Sequence, residues 1–103
     1  MTLKYRIERF EFHDLKTKQF ITIVGWCYQE DNESVNYRIK LDGKEVDFEL
    51  FRPGREDIIN GYDLGFKNTH IGFRITVPCD VEPTSIEVNA YTDTLSECIL
   101  NYD

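Results

Sequence analysis

Phe20-Ile21-Thr22-Ile23-Val24-Gly25-Trp26-Cys27-Tyr28 is the stretch that decides the fold. It is apolar on both faces for much of its length, so it reads as the middle of a central β-strand, Phe20 to Gln29. It carries the only tryptophan of the chain. Gly25 in a strand interior signals close backbone approach or a bulge.

On the N-terminal side, Leu3, Tyr5 and Ile7 share one face, and then the parity shifts to Phe10 and Phe12. One extra residue near Glu8-Arg9 would do this, which predicts a β-bulge or a strand that changes sheets. The polar segment from His13 to Gln19 reads as a loop. On the C-terminal side, Glu30 to Ser34 is a polar turn, and Val35, Tyr37, Ile39 and Leu41 alternate with Asn36, Arg38 and Lys40. Asp42-Gly43 is a hairpin signal, because a type I′ turn needs positive φ at both central residues. The return strand, Lys44 to Phe51, sets Val46, Phe48 and Leu50 inward and Glu45, Asp47 and Glu49 outward, where Arg38 and Lys40 would face them. Arg52 to His70 is irregular, with a helical turn expected over Asp57 to Tyr62. Ile71 to Val77, Ser85 to Thr92 and Leu95 to Tyr102 complete the set. About seven short strands and no long helix predict an all-β fold, a two-sheet antiparallel sandwich of immunoglobulin-like size. The 103 residues form one domain.

The net charge of −7 argues against nucleic acid and anionic membrane as partners, because phosphate neutralisation needs clustered Lys and Arg. No apolar run approaches the roughly 20 residues of a membrane span, so no direct membrane insertion is expected. Met1 to Arg6 lacks the apolar core of a signal peptide. Cys27, Cys79 and Cys98 are an odd number without CxxC spacing, which fits reduced thiols and a cytoplasmic location.

Little in the chain reads as catalytic equipment. His13 and His70 are the only histidines, and Ser34, Ser85 and Ser96 lack a nucleophile-elbow context. His13, Asp14 and His70, or Glu30, Asp31 and Glu33, have no recognised metal-ligand spacing, and the acidic group reads as a solvated turn. The expectation is no catalytic residue, no metal and no cofactor. The candidate ligand-binding residues are Trp26, Tyr28, Arg55, Asp57 and Tyr62. Each has a structural reading beside the functional one. Trp26 would be a sugar-stacking platform or, preferably, a core residue between the sheets. Tyr28 lies nearer the strand end, within reach of solvent. Arg55 would bind a ligand anion or a partner chain, or instead bridge carbonyls or a nearby acid. Asp57 would cap the turn ending at Tyr62, with Ile58 plugging the core.

Gly25-Trp26, Leu41-Asp42-Gly43-Lys44, Arg55-Glu56-Asp57-Ile58, Tyr62 and Gly72-Phe73-Arg74-Ile75 form a spaced series between Leu3 and Tyr91. The series resembles the small β-sandwich modules found beside catalytic domains in bacterial glycosyltransferases that build cell-surface polysaccharides. The resemblance implies a non-catalytic accessory domain, with sugar transfer belonging to a separate α/β domain of the parent chain. The present chain would then be an N-terminal fragment of a longer enzyme or a free-standing relative. The implied partners are that catalytic domain and the acceptor glycan, at the inner face of the membrane through the parent enzyme. A carbohydrate-binding module using Trp26, Tyr28, Arg55 and Tyr62 is one alternative, and a stand-alone protein-interaction domain is another.

Overall fold

The computed structural model describes residues 2–103. Strands β1 (Leu3–Leu15), β2 (Lys18–Gln29), β6 (Gly72–Pro78) and β5 (Glu49–Phe51) make one antiparallel sheet in the order β1-β2-β6-β5. Strands β4 (Lys44–Val46), β3 (Asn36–Leu41), β7 (Ile86–Tyr91) and β8 (Ser96–Tyr102) make the second, in the order β4-β3-β7-β8. The single helix among the described residues, α1, spans Glu56–Gly61. This is an all-β sandwich, and its strand orders follow the A-B-E-D and C′-C-F-G arrangement of immunoglobulin-type domains. No helix among the described residues is long and apolar enough to cross a membrane.

Among the described residues, eight strands replace the expected seven because the return strand divides. Lys44–Val46 pairs with β3 in the second sheet, and Glu49–Phe51 pairs with β6 in the first. The alternation of Val46, Phe48 and Leu50 with Glu45, Asp47 and Glu49 continues through the switch, so the pattern alone reads as one strand. The division also revises the expected charge pairing. Lys40 lies opposite Glu45, but Arg38 has no partner on β4 and rests its guanidinium on the Tyr91 ring, 4.9 Å from the centroid.

The expected loop from His13 to Gln19 is mostly strand. β1 continues to Leu15, and Lys16-Thr17 alone make the turn. The bulge falls where the parity shift places it: the β1–β2 register slips between Ile7 and Arg9, leaving Glu8 extra. Gly25 lies opposite this bulge, and a Cβ there would stand 2.1 Å from the Arg6 carbonyl oxygen. At the hairpin, Asp42 and Gly43 have φ of 50° and 83°, as a type I′ turn requires. The Asp42 carboxylate has a second task that its turn propensity does not reveal. It accepts hydrogen bonds from Thr84 N, Thr84 Oγ1 and Ser85 N at 2.7–2.9 Å, stapling this hairpin to the β6–β7 connection.

The main core lies between the sheets. Ile21, Ile23 and Cys27 from β2 and Phe73, Ile75 and Val77 from β6 face Tyr37, Ile39, Val88 and Ala90 of the second sheet. Burying each large aliphatic or aromatic side chain contributes roughly 1.5–3 kcal/mol relative to exposure. A polar clasp closes one end. Buried Gln29 accepts from Thr92 Oγ1 at 2.7 Å through Oε1 and donates to Asp31 and Glu33 through Nε2.

Candidate functional site

Because successive strand residues point to opposite faces, the inward Ile21, Ile23 and Cys27 place Thr22, Val24, Trp26 and Tyr28 on the outer face of the first sheet. Trp26 is therefore buried outside the sandwich, which corrects its placement between the sheets. It is 6% exposed under the segment from Arg52 to Ile71, in a separate apolar cluster with Tyr28, Ile59 and Ile71. Tyr28, at 8% exposed, does not reach solvent as its position near the strand end had suggested. Around Trp26 and Tyr28 the strand is apolar on both faces because both are covered there, one by the second sheet and the other by this segment.

Local chemistry shapes the cover. The Arg52–Ile71 segment crosses the sheet at Gly72, where a Cβ would stand 2.8 Å from both the carbonyl oxygen and Cγ of Pro53. Gly72 N donates to Pro53 O, and Arg55 N donates to Thr69 O, tying the two ends of the segment together. Helix α1 then begins. Ile59, rather than Ile58, is its buried residue; Ile58 packs at the edge of the same outer cluster. Beyond the helix, Asp63 and Gly65 take positive φ as the chain turns back.

Asp57 does not cap the helix. Arg55 holds the N-cap position, no side chain bonds there, and the Asp57 carboxylate turns to Arg55. Arg55 takes the acid-bridging role. Its Nε and Nη2 donate to the two Asp57 oxygens at 3.0 Å, and its Nη1 and Nη2 donate to Glu8 at 2.6 and 3.0 Å. Two bidentate pairs thus share one guanidinium. The Arg55 hydrogen bonds hold the Glu8 and Asp57 carboxyls below their usual range, and these acids raise Arg55 in turn. Glu8 is the bulge residue of β1, so the irregularity aims its carboxylate at the loop.

The five candidate residues form two contacting sets, the Trp26, Tyr28 and Tyr62 rings and the Arg55–Asp57 pair. The Trp26 ring stacks on Tyr28 at 5.7 Å between centroids and meets Tyr62 at 6.0 Å. Tyr62 is 59% exposed and forms the outer rim of this aromatic group. Trp26 Nε1 is buried without a hydrogen-bond partner among the described residues. The loop leaves Tyr62 and Asp57 facing solvent and keeps the Trp26 and Tyr28 rings covered.

The other candidates are held elsewhere. His13 stacks on Phe20 at 4.7 Å, and His70 bonds through Nδ1 to the Arg52 carbonyl, so the two histidines belong to opposite ends of the sheet. Asp31 and Glu33 receive the Gln29 amide. Among the described residues, no three His, Cys, Asp or Glu side chains gather closely enough to hold a metal ion. All three cysteines are free thiols, and burial pushes Cys27 up to about 12.

The fold and this neighbourhood define a β-sandwich whose first sheet is covered on its outer face by a clamped loop. Comparison with protein-family models, curated proteins and solved structures found no match to the chain.

Proposed function

We propose that this chain is a non-catalytic accessory β-sandwich of a bacterial glycosyltransferase for cell-surface polysaccharide. It orients the catalytic domain, or docks a partner or the acceptor glycan, from the inner face of the membrane. One observation carries this reading. Most of the residues that bear the resemblance are residues that build the fold. Gly25 admits the bulge, Gly72 admits the loop, Arg55 and Asp57 clamp it with Glu8, Trp26 and Tyr62 pack around it, and Asp42-Gly43 turns and staples a hairpin. A series spent on scaffolding supports a module that positions other bodies.

The test is turnover by the purified chain across a panel of sugar nucleotides and polysaccharide acceptors. No hydrolysis or transfer above background is expected. Activity that scales with protein concentration and persists through repurification would overturn the reading. The reading frame downstream of Asp103 is an independent check, and a transferase domain is expected there.

A further inference from the structure

The outer face of the first sheet also carries a cross-strand row that the clamped loop leaves open. The register sets Arg9 of β1, Val24 of β2, Arg74 of β6 and Phe51 of β5 side by side. Two strand spacings separate the arginines, about 10 Å between Cα atoms, so two long side chains can meet over Val24. Together with Glu8 and Pro53 they line a shallow basin of about 410 Å³. Phe51 is 63% exposed, an unusual outlay of aromatic surface on a short edge strand.

Charge distinguishes this row from the corresponding basin on the second sheet. Arg74 has Val24 on one side and Phe51 on the other, and neither a carboxylate nor a hydrogen-bond acceptor engages it among the described residues. Arg9 touches Glu11 at 3.4 Å in an exposed contact, of the kind that contributes little and opens easily. The Glu8 carboxylate at the rim is held by Arg55. The corresponding basin on the second sheet is different. There Lys40 lies between Glu45 and Glu87, and Arg38 rests on Tyr91.

We propose that the Arg9–Val24–Arg74–Phe51 row is a binding subsite for a carboxylated sugar residue of a glycan. The carboxylate lies between the two guanidinium groups, which take it in planar, bidentate fashion. The apolar face of the pyranose ring rests on Phe51, with Val24 as floor and Pro53 as wall. Local charge selects the anion against the repulsion of a chain of net charge −7, because Arg74 is unengaged among the described residues and Arg9 is held only by its exposed contact with Glu11. The basin suits one sugar ring, not an extended peptide. The proposal rests on the glycan-handling form of the proposed function and names the class of glycan.

The test is heteronuclear NMR on the labelled chain, titrated separately with a trigalacturonate, a neutral trigalactoside, sodium sulfate and a short polyglutamate. Trigalacturonate should move the Arg9, Val24, Phe51 and Arg74 signals, and the neutral sugar should not. Arg74→Gln and Phe51→Ala, with folding checked by the untouched core signals, should each weaken it by about tenfold or more. Arg38→Gln should leave it unchanged. Equal binding of the neutral sugar, an equal response to sulfate alone, a preference for polyglutamate, or no movement of these signals would each overturn the proposal. None of those outcomes bears on sugar-nucleotide turnover, which tests the accessory role separately.

Discussion

Glu8 and Arg55 are 47 positions apart in the chain, yet the two Glu8 oxygens accept from Arg55 Nη1 and Nη2 at 2.6 and 3.0 Å. The pair joins the bulge of an edge strand to the loop that covers Trp26. Arg55→Lys keeps the charge and loses the fork, and should destabilise the chain by roughly 1 kcal/mol, since the pair is partly exposed. Glu8→Gln in the Arg55→Lys background should cost less than it does alone. A double-mutant cycle by urea unfolding measures the coupling, and strict additivity would show the pair idle in solution.

Acid should weaken the fold through the same group. Glu8 and Asp57, held down by Arg55, and Asp42, held down first by the Thr84 hydroxyl, bind protons less readily folded than unfolded. As pH falls the unfolded chain takes up protons first, so stability drains away. It should be fully present above the ordinary carboxylate range, about pH 4–4.5, and be lost as pH falls through that range toward the lower folded values. Urea midpoints from pH 7 to pH 2.5 check this, and Glu8→Gln or Asp42→Asn should flatten the acid limb.

Gly72→Ala forces a methyl group against Pro53 and the Arg55 stem. The loop must lift, at a cost of roughly 1–3 kcal/mol. Tryptophan emission should move to the red as Trp26 gains water. A variant with native stability and unshifted emission would mean that the loop lies higher than described.

Trp26→Ala should cost roughly 3–5 kcal/mol, because the ring fills the space between sheet and loop. Trp26→Phe should cost less than half as much. It keeps much of the apolar area and removes an indole N–H that has no acceptor among the described residues. Thermal unfolding of the two variants compares them, and equal losses would mean that the nitrogen finds a partner in solution.

Cys27 should resist Ellman's reagent in the folded protein, because its thiol is buried and pushed up to about 12. Cys98 is exposed and should react first, and Cys79, half-buried, more slowly. One thiol should become reactive only on adding denaturant. Rapid modification of all three without denaturant would show that the core opens readily.

Much of the fold was legible along the chain. Period-two alternation located most of the strands, the parity shift located the bulge at Glu8, and Asp42-Gly43 located the hairpin. These signals are local, set by backbone stereochemistry and by which residues seek a common apolar face. The sheet switch at Asp47-Phe48 was not legible, because the alternation runs through it unbroken. The candidate residues fall into two contacting sets, Trp26 with Tyr28 and Tyr62, and Arg55 with Asp57. Their geometry was not legible, because Arg55 is oriented by Glu8 far upstream. The parity of Thr22 and Trp26 against Gly25 and Cys27 was the one available sign that Trp26 faces outward.

The amino-acid order thus determined an antiparallel all-β chain, its turns and its apolar faces, since these follow from interactions between near neighbours. Which body covers each face of β2, that the Trp26 ring is sealed beneath a loop, and that Arg9 and Arg74 share a row with Phe51 were decided only by strand register in the assembled sheet. Register pairs residues as distant in the chain as Phe20 and Pro78, and such pairings are chosen by the packing of the whole sandwich.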